Sequence, residues 1–524
     1  MIDRRAVIRG GSAGLLMLAG SSALRAASPG EGWVSIRQFG AVGDGRTIDT
    51  PAINRAIDHA AMRGGGVVHV PAGTYACYSI RLKSRITLDL APGAVILAAP
   101  APSDGRGGYD LAEPIDPAYA DFQDFGHSHW HNSLIWGDGL DDIAITGHGL
   151  IWGKGLGRGD GKDNWLKDPT GPGTGNKAIA LRNCRNVVIR DVRILEGGWF
   201  ALLATGVDNL TIDNVVADTN RDGFDIDCCR NVRVTNCTVN SPYDDGICFK
   251  SSYALGEARA TENVTVSNCF VSGNYAIGSV IDGSWRKMPA DFAKLIHGRI
   301  KFGTESNGGF RNVAITNCVF EESRGFAIET VDGALVEDFT VSNLTMRGII
   351  DAPLFLRIGK RMRGPKGVPI GSMRRILIEN VTSSNATILP SVIAGLAERR
   401  IEDVRIADVF LQHVGGAPAA MANLNPPEAE LGYPEATMFG DLPATGLFVR
   451  HAQGFELSHS EIAVVAPDPR PAIALDDVHG ADSIDVRTPH GAPAFKLTGV
   501  SDFRSAMMPG RPDRTIHGPA TATF

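Results

Sequence analysis

Two short runs hold the residues best equipped for chemistry. Asn220-Arg-Asp222-Gly-Phe-Asp225 is followed by Tyr243-Asp244-Asp245-Gly246, with 22 residues separating Asp222 from Asp244. Carboxylates brought onto one face repel, so a proton is shared among them and one pKa rises. A carboxylic acid beside an ionised carboxylate is the pair that glycosidic hydrolysis requires. Asp-Gly is also a common turn pair, and calcium sites use clustered carboxylates. Spacing alone therefore leaves catalysis, turn chemistry and cation binding open.

A repeat supplies the elements that must position these residues. Asn186-Val-Val-Ile-Arg-Asp191 returns as Asn209-Leu-Thr-Ile-Asp-Asn214 and as Asn231-Val-Arg-Val-Thr-Asn236. Further copies start at Asn263, Asn312 and Asp338, and weaker ones at Arg375 and Asp403. Apolar and polar residues alternate, the signature of a strand with one buried face. Each copy closes on Asn or Asp, residues that favour turns. The first starts are spaced by 23 and 22 residues, about one coil of a parallel β-helix whose rungs stack at ~4.8 Å. On that arithmetic Asp222 and Asp244 occupy adjacent rungs. The interval of 49 from Asn263 to Asn312 implies an inserted loop, roughly residues 275–296, and inserts of this kind commonly build a binding face.

The predicted fold is all-β: a single-stranded parallel β-helix running from residue 28 to 524 as one domain. Thr50-Pro51 opens a short capping helix with Ile53, Ala56 and Ile57 on one stripe, and residues 415–443 read as a long loop. Arg4 and Arg5 precede an uncharged stretch from Gly10 to Leu24, so residues 1–27 resemble a twin-arginine export signal. That predicts a periplasmic or secreted protein, free of the membrane once the signal is removed. A net charge of −7 gives no basic footprint for nucleic acid. Cys237, Cys269 and Cys318 share one frame of the repeat, which fits a buried thiol row at least as well as crosslinks, and mostly free thiols are expected. No metal-ligand spacing is visible, and neither a metal nor another cofactor is expected.

The chain resembles glycoside hydrolase family 28, the polygalacturonases and rhamnogalacturonases, from about Val34 to Ala472. The resemblance begins with Phe39-Gly-Ala-Val-Gly-Asp-Gly. It rests chiefly on Asn220-Arg-Asp222-Gly-Phe-Asp225, which matches the family's Asn-Thr-Asp-Gly-x-Asp block, and on Tyr243-Asp244-Asp245, which matches its Asp-Asp block. The resemblance implies a right-handed coil and inverting hydrolysis of a pectic chain, polygalacturonan or a branched pectin such as rhamnogalacturonan. It further implies Asp244 as general acid, Asp222 and Asp245 as activators of the attacking water, and Asn220 beside the substrate.

The family's Gly-His-Gly and Ile-Gly-Ser-Glu motif has two candidate matches. His297-Gly298 with Gly303-Thr304-Glu305 is one, and Gly273-Asn274 with Gly278-Ser279 is the other; the first keeps the histidine. The family's Arg-Ile-Lys, which binds a uronate carboxylate, aligns with Ala327-Ile328-Glu329, so both cations are missing and an anion has appeared. Arg299, Lys301 and Arg357 are candidate replacements. Trp285, Tyr275 and Phe302 are candidate sugar-stacking rings. The expected partner is a polysaccharide or oligosaccharide, taken up by a monomer. A β-helix lyase and a non-catalytic carbohydrate-binding solenoid are the competing classes.

Overall fold

The computed structural model describes residues 32–103, 106–123, 126–157, 171–289 and 296–524. The twin-arginine segment lies outside them. Within them, 35 strands join one continuous sheet, and successive coils pair in parallel. The motif positions stack in register: Val187 on Leu210, Leu210 on Val232, Val232 on Val264, Val264 on Val313, and Val313 on Phe339. All of these side chains belong to one core along the coil axis. Period-2 alternation is thus converted into an apolar column, each rung covering the last.

The recurrent asparagines do a second job. Asn186, Asn209, Asn231, Asn263 and Asn312 have φ between 55 and 58°, the left-handed region that Asn enters more readily than most residues. Their side-chain amides link coil to coil, Asn209 to Asn186 at 2.8 Å and Asn231 to Asn209 at 3.0 Å. Asn263 bonds Asn231 at 3.0 Å, and Asn312 bonds Asn263 at 2.6 Å. A second ladder runs through Asn268, Asn317, Asn343 and Asn380.

The helix Thr50–Met62 covers the first coils with Ala52, Ile53, Ala56, Ile57 and Ala60 buried. Asp49, one residue earlier than expected, holds its cap position. Thr50 instead accepts from the Tyr78 amide at 2.7 Å. At the other end, Arg514–Ile516 and Ala520–Thr523 pair antiparallel with Phe495–Ala506 and close the last coil. All eight cysteines are buried and none is in a disulfide. No helix among the described residues is long and apolar enough to cross a membrane.

One stack of strands matters for function: Phe200–Thr205, Asp222–Asp227, Ile247–Ser251, Ile300–Ser306, Phe326–Thr330 and Leu354–Ile358. Phe224, Phe249, Phe302, Ile328 and Leu356 point into the core. The alternate residues face outward, and two segments cover them. From residues 126–134, Trp130 donates to Thr205 Oγ1 at 3.0 Å. From residues 415–446, Phe439 and Leu442 pack with Ala327, Phe355 and Phe448. The segment is pinned where Arg357 donates to the Glu428 carbonyl at 2.8 Å and Lys360 N to the Glu430 carbonyl at 2.7 Å.

Candidate active site

The aspartates sit where the chain turns into this strand stack. Asp222 begins the strand Asp222–Asp227, and Asp244 and Asp245 precede Ile247–Ser251. Phe224 pairs with Ile247, and Gly223 N donates to the Asp245 carbonyl at 3.0 Å. Asp222 is therefore level with Asp245, whereas the 22-residue arithmetic had set it level with Asp244. This coil is one residue longer than the one before it. His297 arrives from the next coil, after the insert, and its ring nitrogen lies within 4.8 Å of carboxylate oxygens of Asp244 and Asp245. Asn274, the competing candidate, instead holds the Met288 amide at 3.0 Å.

Two guanidiniums divide the carboxylates. Arg299 Nε donates to Asp245 Oδ1 at 2.6 Å, with both side chains almost without exposure, and Lys301 Nζ is 3.5 Å from the same carboxylate. Arg221 Nη2 donates to Asp244 Oδ2 at 2.6 Å, and this pair is more open. Arg221 also lies 4.2 Å over the Trp199 ring, a cation–π contact that fixes its plane.

These contacts set the protonation of the three acids. Burial raises Asp222 well above the usual carboxylate range, reinforced by Asp244 and Asp225 against the weaker pull of Arg221 and Lys250. Burial also opposes ionisation of Asp244, but the charge and hydrogen bond of Arg221 together with His297 hold the carboxyl low. For Asp245, Arg299 and Lys301 overcome burial. The three acids are thus unequal: Asp222 holds a proton more readily than Asp244 and Asp245. Burial lowers His297 to about 4, and Arg324 and Arg299 offset the pull of Asp244 and Asp245. The imidazole is neutral at pH 6–7.

The other expected residues fall into two groups. Lys301 Nζ stands 3.5 Å from Glu329 and pairs in register with Ala327, so cations on the preceding coil stand where the family's Arg-Ile-Lys is lost. Glu329 is fully buried behind Lys301, and burial raises its pKa. It is not presented to a ligand as a bare anion. Glu305 is buried between Lys250 at 2.9 Å and Arg363 at 3.0 Å. Arg357 is fully buried, with its donors on the carbonyls of Gly395 and Glu428 and its guanidinium over Phe439. It anchors the covering segment and does not reach the carboxylates. Asn220 is half-buried beside the cluster, and its carbonyl accepts from Tyr243 N at 3.0 Å. Phe302 is a core residue stacked on Phe249 at 4.4 Å and offers no platform. Tyr275 packs against Trp285 at 4.3 Å, and Trp285 keeps its exposure.

Sequence reasoning overlooked several groups. Arg221 lies inside the motif, at the position where the family pattern has Thr, and that substitution was the available signal. Trp199 beneath it had none. Tyr433 comes from the covering segment, with its hydroxyl 3.1 Å from Thr304 Oγ1 and 3.3 Å from Lys301 Nζ. Glu435 follows it, bonded to Arg324 at 2.5 Å. His127, from the other segment, pairs with Asp225 at 3.1 Å, and its pKa is raised to about 9 because Asp225 outweighs burial. Asp222, Asp225 and Cys248 form one group of potential metal ligands, and Asp244, Asp245 and His297 another. In the second group Arg221 and Arg299 already neutralise the carboxylates, so its charge balance calls for no cation.

Comparison with known proteins finds the fold among right-handed β-helices. Residues 33–104 match the family described as rhamnogalacturonase A/epimerase, pectate lyase-like, and residues 167–284 match the right handed beta helix region. A probable polygalacturonase of Vitis vinifera is 27% identical over 57% of this chain and 61% of its own length. An exo-poly-alpha-D-galacturonosidase of Dickeya chrysanthemi is 28% identical over 46% of this chain and 37% of its own. A mannuronan C5-epimerase of Azotobacter vinelandii is 28% identical over half of this chain and 13% of its own. The chain thus spans about three fifths or less of these relatives. Among solved structures, the exopolygalacturonase of Thermotoga maritima aligns with TM-score 0.58 at 20% identity, over 73% of this chain and 87% of that one. The family 28 exopolygalacturonase of Yersinia enterocolitica aligns with TM-score 0.60 at 18% identity, over 86% of this chain and 78% of that one.

Proposed function

We propose that this right-handed parallel β-helix of the pectate lyase-like type is an inverting glycoside hydrolase acting on galacturonate-containing pectic chains. One observation carries the reading: three carboxyls from adjacent coils meet beside Arg221 and Arg299 in unequal surroundings, buried Asp222 with its pKa raised and the ion-paired Asp244 and Asp245 with theirs held low. An acid and a base side by side are what inversion needs. Following the family resemblance, Asp244 protonates the leaving oxygen and Asp222 with Asp245 takes the proton of the attacking water. His297, neutral and close to Asp244, serves as a hydrogen-bonding partner of the acid.

Arg221 and Arg324, each partly exposed beside the carboxylates, favour an anionic sugar. Lys301, 3.5 Å from Glu329, offsets its charge, so unbranched polygalacturonan stays a candidate substrate alongside rhamnogalacturonan. Tyr433 and Glu435 reach across to Lys301 and Arg324, narrowing the cleft on the side of the later coils and favouring cleavage from a chain end. A polymer too large to enter a cell requires an enzyme outside the cytoplasm, which agrees with the Arg4-Arg5 segment read as an export signal.

The mannuronan epimerase likeness raises a second reading, abstraction of a C5 proton from a uronate with Tyr433 as base. Tyr433 is exposed, with its hydroxyl bonded to Lys301 and Thr304, and the carboxyl cluster beside them favours hydrolysis. Both readings are tested by incubating the mature protein and its Asp244→Asn variant with polygalacturonan, rhamnogalacturonan and a neutral polymer. New reducing ends without ultraviolet absorbance, lost in Asp244→Asn, support the hydrolase. Absorbance from unsaturated ends would assign a lyase, and isomerised uronate without cleavage an epimerase.

A further inference from the structure

Hydrolysis needs a proton on Asp244, yet Arg221 holds that carboxyl ionised in the free protein. The two ion pairs of the site differ in a way that bears on this conflict. Arg299 and Asp245 have side chains 3% and 4% exposed, whereas Arg221 and Asp244 are 15% and 22% exposed. The inner pair is closed to exchange with a ligand, and the outer pair is partly open to solvent. Stacking on Trp199 at 4.2 Å orients the Arg221 plane while leaving its edge to donate to a carboxylate. Arginine's planar fork suits a bidentate carboxylate.

We propose that Arg221 is the positioning residue that recognises the substrate's uronate carboxylate and, in turning from Asp244 to that group, frees Asp244 to become the acid. This deepens the hydrolase reading and rests on it. Asp244 is faced by Arg221 and Asp222 from the preceding coil, Asp245 on its own, His297 from the following one and Tyr433 from the covering segment. Of these, Arg221 is the cation bonded to it, and His297 is neutral. Once Arg221 pairs with the ligand, Asp244 is left among anions and accepts the proton held by Asp222. Asp244 then gives that proton to the glycosidic oxygen as the C–O bond breaks. Water attacks the anomeric carbon, and its released proton goes to the newly ionised Asp222. The products leave with Asp222 protonated and Asp244 anionic, so Arg221 returns and the starting state is restored with no other reactant.

The test compares the full mature protein with Arg221→Gln and Arg221→Lys on oligogalacturonate and on its methyl ester. The wild type prefers the free acid. Arg221→Gln lowers kcat/KM for the acid by roughly 10- to 100-fold, the loss of a charge-assisted bond, and lowers the ester far less, so the preference collapses. Arg221→Lys keeps part of it. In free protein labelled with carbon-13 at the aspartate carboxyls, Arg221→Gln also moves one low-titrating carboxyl upward. An acid-to-ester preference unchanged in an active Arg221→Gln enzyme, or equal losses on both substrates, overturns the role of Arg221 while leaving hydrolysis intact. A wild type that cleaves neither substrate overturns the hydrolase reading and this inference together.

Discussion

Arg299→Met removes the guanidinium from a carboxylate shut away from water. The bond is 2.6 Å and both side chains are nearly inaccessible. Taking one partner from a buried ion pair costs about 3–5 kcal/mol. Lys301, 3.5 Å from the same carboxylate, brings the expected loss toward ~3 kcal/mol. The pH dependence follows from the depressed pKa of Asp245. A carboxyl lowered by folding adds stability above its unfolded pKa and loses it as pH falls through the folded one. In the wild type that contribution is intact at neutral pH and fades only below about pH 4. In Arg299→Met, burial dominates and the Asp245 pKa rises, so the penalty is full at pH 7 and shrinks toward the unfolded value of about 3.9. Urea midpoints at pH 7 and pH 4, compared at constant slope, measure this. The double variant Arg299→Met/Asp245→Asn should recover more than half of the loss, since no buried charge remains. Wild-type stability in Arg299→Met at pH 7, or the same deficit at both pH values, would refute the reasoning.

Asp222→Asn should cut kcat by on the order of 10²–10⁴ while making the protein more stable at pH 7. Its pKa is raised on folding, so ionisation costs stability only above the unfolded pKa, and the gain should vanish when urea midpoints are taken at low pH. Asn263→Ala breaks two rungs of the asparagine ladder and forces a left-handed φ of 58°, a loss of about 2 kcal/mol by urea unfolding. Asn263→Gly should lose less, since glycine accepts that backbone. Tyr433→Ala/Glu435→Ala opens the cleft and should lengthen the first products from oligogalacturonate, read by chromatography, with thermal unfolding shifted only slightly.

The coil was legible because its signals repeat. Asn at fixed offsets and apolar residues at period 2 recur in successive copies, and each copy forms a rung in the structure. The aspartate motifs were legible for the same reason, since one coil of separation brings residues together. Three features escaped because they depend on one residue or on distant chain. A single extra residue shifted the level of Asp222 from Asp244 to Asp245. Tyr433 and Glu435 are more than 100 residues from the partners they reach, and no local pattern connects them. Counting cations did not reveal that Arg357 is spent on carbonyls, nor that Arg299 is spent on Asp245 inside the protein. Arg221 was visible in the motif, but its contact with Asp244 emerged only once Trp199 and the next coil were in place.

The most direct test of the central claim is the configuration of the first anomer released from oligogalacturonate, followed by proton NMR before mutarotation. Inverting hydrolysis by Asp244 with Asp222 and Asp245 predicts that the α-linked chain yields the β anomer first, and that Asp244→Asn yields neither anomer. The α anomer appearing first would contradict the account, because retention requires a carboxylate nucleophile in place of an activated water.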